Sequence, residues 1–72
     1  MVLKVVIKCP HPEVAFDGNW EAAGPEDVLR HCVDQAITLG VPIHLEVKGH
    51  GAWNVTRSGK ATPDARFLKS PN

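Results

Sequence analysis

A single amphipathic segment, Pro25 to Leu39, constrains the fold of this 72-residue chain more than any other feature. Its apolar residues recur every three or four positions, and this spacing gathers side chains on one face of a helix. That face contains Val28, Leu29, Cys32, Val33, Ala36, Ile37 and Leu39. The opposite face contains Asp27, Arg30, Asp34, Gln35 and Thr38. The sequence therefore predicts one helix whose apolar face packs against the remainder of the chain.

The residues at both ends of the segment favour these limits for the helix. Gly24 is a candidate N-cap, and Pro25 suits the first helical position, where a backbone N–H has no helical acceptor. Gly40 favours the left-handed conformation that closes a helix, and Pro42 prevents the helix from continuing. Ile37 belongs to the predicted apolar face, so an Ile37→Asp change is expected to unfold the domain.

Apolar and polar residues alternate before and after the helix, which predicts β-strands. In residues 2–9, the positions with odd numbers are apolar and are expected to face the helix. Residues 43–47 and 52–57 alternate in the same way, and the short connection Gly49-His50-Gly51 joins them into a hairpin. Trp53 and Val55 have the parity that faces the helix.

The segment before the helix, residues 13–23, allows two interpretations. It forms either a second strand near 19–23, antiparallel to the first, or a loop that covers the edge of the core. A short hairpin around Asp17-Gly18-Asn19 is a variant of the first interpretation. We favour the strand. The predicted fold is α+β, with one helix on a three- or four-stranded, mainly antiparallel sheet in the order β-β-α-β-β, and β-α-β-β is the alternative.

The domain is expected to span residues 1–60, followed by an extended segment, 61–72. Because this segment contains Phe67 and Leu68, we expect it to pack on the sheet edge or on a partner. Those two residues, with Phe16 and Trp20, form an aromatic and apolar set too large to be fully buried in so small a domain. Exposed apolar surface of this kind favours a homodimer or a protein partner.

Composition excludes several classes of protein. Eight basic and eight acidic residues give a formal net charge of zero, which is typical neither of a polyanion mimic nor of a strongly basic nucleic-acid binder. No apolar run approaches the roughly 20 residues of a membrane span, and the first residues lack the pattern of a secretory leader. We therefore expect a cytoplasmic protein. Cys9 and Cys32 are expected to be small buried side chains, and a disulfide between them is the alternative.

Motifs for metal binding and catalysis are weak. Cys9 with His11, and His31 with Cys32, do not have the spacing of structural zinc ligands. Adjacent helical residues point about 100° apart, so the second pair cannot easily share an ion. His31 is expected on the polar face, paired with Asp27 one turn away. No nucleophile motif is present, and we expect a non-enzymatic protein without a cofactor or a metal.

A binding surface is the stronger prediction. If the helix covers one face of the sheet, the other face presents several basic and hydrogen-bonding side chains against a single acid, Glu46. The residues predicted to contact a partner, on this face and in nearby loops, are Lys4, Lys8, Trp20, His44, Lys48, His50, Asn54 and Arg57. Such a surface suits an acidic protein patch, a nucleotide or a nucleic-acid phosphate.

The residues around the helix carry a family resemblance. The stretch Trp20-Glu21-Ala22-Ala23-Gly24-Pro25-Glu26-Asp27-Val28, and Leu39-Gly40-Val41-Pro42 before a hairpin, resemble small α+β proteins of phages and mobile elements, including some anti-CRISPR proteins. The resemblance covers about residues 20–57 and is one of layout. It implies a cofactor-free inhibitor that covers a surface of a host nuclease complex. The zero net charge differs from the acidic members that mimic nucleic acid. The alternative is a small module that sequesters a nucleotide or binds nucleic acid through the basic sheet face.

Overall fold

The computed structural model describes residues 1–64 of the chain, which contain five strands and one helix. The elements are β1 (Val2–Lys8), β2 (Phe16–Glu21), α1 (Pro25–Leu39), β3 (Ile43–Val47), β4 (Gly51–Val55) and β5 (Ala61–Pro63). They form one sheet in the order β2-β1-β3-β4-β5, and every neighbouring pair is antiparallel. The predicted α+β class and the order β-β-α-β-β are confirmed, with a fifth strand added. The alternative β-α-β-β order is wrong.

The helix has the predicted limits because its ends have the predicted chemistry. Gly24 is the extended N-cap residue, and Pro25 begins the helix. Gly40 takes the left-handed conformation, with φ of 66°, and its N–H donates to the carbonyl of Ala36 at 2.8 Å. The prediction of both caps is confirmed.

The core lies between one face of the helix and one face of the sheet. Val28, Cys32 and Ala36 are fully buried on the helix. The sheet contributes the buried side chains of Leu3, Val5, Ile7, Ile43, Leu45, Val47 and Val55. Trp53 is paired with Leu45 across β3 and β4 and packs against this cluster, so it has the predicted inward parity. Burial of these apolar groups is the main stabilising contribution to folding.

Strand β2 differs from the prediction in its position. It was expected near residues 19–23, but it begins at Phe16 and places Gly18 in its centre, opposite Val5. The predicted hairpin around Asp17-Gly18-Asn19 is therefore wrong. Phe16 and Trp20 point to the helix side, and their rings meet edge-to-face at 5.1 Å between centroids. The rings can meet across Gly18 because this glycine has no side chain between them.

Ile37 does not belong to the core. Ile37 is 55% exposed, and its side chain lies against the turn that contains Gly59. The predicted burial of Ile37 is therefore wrong, and it was the ground for expecting Ile37→Asp to unfold the domain. The buried part of the predicted face is narrower than the sequence pattern, with Leu29 and Val33 only partly buried.

After β4, the described part of the chain contains one more short strand. Residues 61–63 form β5 at the β4 edge of the sheet, so the start of the predicted C-terminal segment is a strand of the domain. Phe67 and Leu68 lie outside the described residues.

Cys9 and Cys32 are free thiols, and the alternative of a disulfide is wrong. Within residues 1–64, no helix combines the length and the apolar character that a membrane crossing requires.

Candidate functional site

The face of the sheet turned away from the helix is called here the open face. Its side chains alternate with those of the core along each strand. They are Val2, Lys4, Val6, Lys8, Asp17, Asn19, Glu21, His44, Glu46, Ala52, Asn54 and Thr62, with Lys48 and Asp64 just beyond strands β3 and β5. The strand register arranges these side chains in rows that cross the sheet.

One row, called here the His44 row, contains Lys8, His44, Asn54 and Thr62 on four neighbouring strands. The Nδ1 atom of His44 is 2.8 Å from Oδ1 of Asn54, a hydrogen bond in which the ring nitrogen donates. The Thr62 hydroxyl donates to the Asn54 carbonyl oxygen at 3.5 Å. The strand register thus brings three of the predicted contact residues side by side.

A buried carboxylate lies beside this row. Asp64 is only 6% exposed, and its Oδ2 is 3.9 Å from Nδ1 of His44. The Asp64 N–H donates to the carbonyl of Ala52 at 2.9 Å, which extends the pairing of β5 with β4. The imidazole therefore lies between an amide oxygen and a carboxylate, and this arrangement restricts the orientation of the ring.

The next row of side chains across the open face is acidic. The charge of this face therefore differs from the prediction. Val6 has Asp17 on one side and Glu46 on the other. Asp64 lies on the same face beyond Ala52, and Glu21 lies near the other end of β2. The sequence prediction counted Glu46 alone because it assigned Asp17 to a turn. The open face has mixed charge, and the prediction of a mildly basic surface is wrong.

The eight predicted contact residues do not form one patch. Lys4, Lys8, His44, Lys48 and Asn54 lie on the open face. Trp20 lies on the helix side of β2, where it is half-buried. His50 and Arg57 are exposed in the turns before and after β4, and therefore lie at opposite ends of that strand.

A cleft of about 440 Å³, called here the end cleft, opens where β1 ends and β3 begins. Its lining is largely apolar and consists of Lys8, Cys9, Pro10, Pro42, Ile43, His44, Asn54, Val55 and Thr56. The His44 row therefore supplies charged and hydrogen-bonding groups at the border of an apolar pocket. Pockets of this composition bind ligands or partner side chains.

A second cleft, called here the edge cleft, has a volume of about 270 Å³ and lies between β2 and the helix. It is lined by Glu13, Val14, Ala15, Phe16, Trp20, His31 and Gln35. The rings of His31 and Trp20 are 5.0 Å apart between centroids. This cleft was not predicted from the sequence, because His31 was expected on the solvated face with Asp27. That placement is wrong, since Asp27 instead accepts from the Ala23 N–H at 3.1 Å and contacts Arg30 at 3.4 Å.

Two side chains of the described residues, one at the edge cleft and one in the core, have shifted pKa values. Hydrogen bonds from its own backbone N–H and from His11 lower the pKa of Glu13, which keeps a negative charge at the edge cleft. Burial, with a smaller contribution from Cys9, raises the pKa of the Cys32 thiol to about 11. A thiol that remains protonated is a poor nucleophile and a poor metal ligand at neutral pH. Among residues 1–64, no three His, Cys, Asp or Glu side chains are grouped to hold a metal ion.

Comparison of the chain with protein-family models, with curated proteins and with solved structures finds no match. The geometry and the chemistry of the open face, the end cleft and the edge cleft therefore carry the functional inference.

Proposed function

We propose that this chain is a non-catalytic protein-binding domain that acts by covering a surface of a larger protein. Its contact region is the His44 row together with the end cleft. The observation that supports the proposal most directly is the position of Lys8, His44 and Asn54, side by side at the border of an apolar pocket of about 440 Å³. An apolar pocket bordered by polar groups can receive the anchor side chain of a partner.

The mixed charge of the open face favours a protein over a nucleic acid. Nucleic-acid binders neutralise phosphates with clustered Lys and Arg, and here Asp17, Glu46 and Asp64 lie between the lysines. Readers of single strands stack bases on exposed aromatic rings. Both Trp20 and Trp53 lie on the helix side of the sheet, and among the described residues the open face has no Phe, Tyr or Trp side chain beside the imidazole of His44.

The specific form of this proposal is an inhibitor of a host nuclease complex of CRISPR type, as the layout resemblance implies. The mechanism is steric, because a sheet that is hydrogen-bonded across five strands keeps the open face rigid. A rigid surface loses little conformational entropy on binding, which favours tight occupation of the target.

A second candidate, a module that sequesters a nucleotide, draws support from the same cleft. A volume of about 440 Å³ lies within the range of small-ligand pockets, and Lys8 could contact a phosphate at its border. The two candidates require different partners at one site, so a single set of variants separates them.

The test measures inhibition of target-DNA cleavage by a purified CRISPR-type nuclease complex as the chain is titrated in. The variant Lys8→Glu reverses a charge at the end cleft, and Lys48→Glu makes the same change on the same face outside that cleft. We expect Lys8→Glu to weaken inhibition about tenfold, and Lys48→Glu to weaken it by less than about threefold. Titration with ATP and with a single-stranded oligonucleotide forms the second arm. Tight ATP binding that Lys8→Glu abolishes, without inhibition of the nuclease, would replace the proposal with the nucleotide module.

A further inference from the structure

The outer edge of β2 presents backbone groups that no described strand satisfies. Met1 and Ala22 exchange two hydrogen bonds, with the Met1 amine donating at 2.7 Å and the Ala22 N–H donating at 2.9 Å. In an antiparallel ladder, such bonded pairs alternate with pairs whose N–H and C=O groups point away. The residues whose backbone groups point away from β1 are therefore Asp17, Asn19 and Glu21.

The opposite edge of the described sheet, strand β5, is less able to pair with a further strand. The N–H of Asp64 donates to the carbonyl of Ala52, so the same alternation directs the nitrogen of Pro63 outward. Proline has no N–H to offer an incoming strand, and β5 has only three residues. Strand β2 has six residues and contains neither proline nor lysine. Among the described strands, β2 is therefore the edge open to a further strand.

The charge of β2 selects the kind of strand that fits. On the open face, Asp17 and Glu21 flank Asn19, and all three side chains are exposed. Glu21 also forms an exposed ion pair with the Met1 amine at 3.2 Å. A second copy of β2, paired antiparallel about Asn19, would place Asp17 opposite Glu21 of that copy. Like charges directly opposite each other destabilise a strand pair, so basic side chains suit these positions better than a second copy does.

The edge cleft lies where it can receive a side chain from the other face of an incoming strand. Side chains alternate along a strand, so the neighbours of the basic residues would point to the helix side. There, Phe16, Trp20 and His31 line a pocket of about 270 Å³ next to the free edge. A pocket of this size and composition accepts an aliphatic side chain.

We propose that the outer edge of β2 is a strand-addition site for an extended segment of a partner protein. Basic side chains of this segment lie opposite Asp17 and Glu21, and an aliphatic side chain of its other face enters the edge cleft. Backbone hydrogen bonds supply affinity in such complexes, and the alternating side chains supply specificity. This surface is separate from the end cleft, so it extends the proposed function without depending on it.

A synthetic peptide with the core lysine-valine-threonine-valine-lysine tests the proposal by fluorescence anisotropy. Replacement of both lysines by glutamate is expected to weaken binding about tenfold, because acids would then lie opposite Asp17 and Glu21. N-methylation of the central threonine removes an N–H that faces β2 in the antiparallel pairing, with an expected loss of about tenfold. N-methylation of a valine blocks an N–H that faces away, and the affinity should change by less than about threefold. The proposal is overturned if the two N-methylated peptides bind alike, or if the glutamate peptide binds as well as the lysine peptide.

Variants of the protein complete the experiment. Asn19→Pro removes an outward N–H at the edge and should abolish peptide binding, with circular dichroism used to verify that the sheet is retained. Lys8→Glu lies outside the edge cleft and should leave peptide binding unchanged, which separates this proposal from the one for the end cleft. Sedimentation of the free chain provides the remaining outcome. A dimer that Asn19→Pro dissociates would show that a second copy occupies the edge, and would overturn the proposal of a basic partner strand.

Discussion

Ile37 lies directly against Gly59, so closely that a Cβ atom at position 59 would be 2.6 Å from Cδ1 of Ile37. This contact joins the last part of the helix to the turn between β4 and β5. Gly59 also has a φ of 90°, a conformation that residues with a side chain rarely adopt. The turn therefore requires glycine for its backbone conformation, and an added Cβ would also force the Ile37 side chain to shift.

Gly59→Ala should lower the free energy of unfolding by about 2 to 3 kcal/mol, because backbone strain and the contact with Ile37 add together. Gly49→Ala is the matched control, since Gly49 has a φ of 81° with no atom within 4 Å of an added Cβ. That control should lose only about 1 kcal/mol, from strain alone. Urea denaturation of both variants measures the difference. Equal losses would show that the contact with Ile37 contributes nothing.

Ile37→Asp should be tolerated, in contrast to the expectation from the sequence pattern. The side chain is already 55% exposed, so its removal from apolar contact should cost about 1 kcal/mol. The neighbouring change Ala36→Asp places a carboxylate at a fully buried position and should unfold the domain. Thermal denaturation of the two variants provides the comparison. Loss of folding in Ile37→Asp would place this residue in the core.

Local signals in the sequence were sufficient to predict the helix and the inward faces of three strands. The caps at Gly24 and Gly40 depend on one or two residues, and alternation along residues 2–9 depends only on neighbours. Strand β2 was displaced in the prediction because Asp17-Gly18-Asn19 has the composition of a turn. The pairing of β2 is non-local, because Gly18 lies opposite Val5 of β1. The rings of Phe16 and Trp20 meet across Gly18.

For the candidate site as well, the sequence predicted which face of the sheet a side chain lies on, but it did not predict how the strands pair. Parity placed Lys8, His44 and Asn54 on one face, but only the register of β1, β3 and β4 brings them into one row. Asp17 was assigned to a turn when the strand was placed near residues 19–23, and the open face therefore looked basic. His31 was missed because its contact with Trp20 depends on how the helix lies over β2.

The contact between His31 and Trp20 should be measurable as a coupling energy. In a double-mutant cycle with His31→Leu and Trp20→Leu, we expect a coupling of about 0.5 to 1 kcal/mol, because the rings pack at 5.0 Å. The control cycle replaces Trp20→Leu by Trp53→Leu, since two strands separate β4 from β2. That pair should be additive within about 0.5 kcal/mol. Additivity in both cycles would contradict a specific contact at the edge cleft.

The buried thiol of Cys32 should make stability depend on pH in the alkaline range. Burial raises the pKa of this thiol from an ordinary 9.0 to about 11 in the folded chain. Between these values the unfolded chain has lost the proton and the folded chain retains it, so the free energy of unfolding falls as pH rises. The loss should be on the order of 2 kcal/mol between about pH 8 and about pH 11.

Cys32→Ala isolates this effect, because it removes the thiol and leaves every other titrating group in place. The variant should be less stable at neutral pH, since it leaves a cavity, but its stability should fall less between about pH 8 and about pH 11. The chain contains no tyrosine, so no phenol titrates in this range and the difference between the two proteins reports mainly on the thiol. Urea midpoints across this range provide the measurement. Parallel curves for the parent and Cys32→Ala would mean that the folded thiol ionises at its ordinary pKa and that water reaches it through the core.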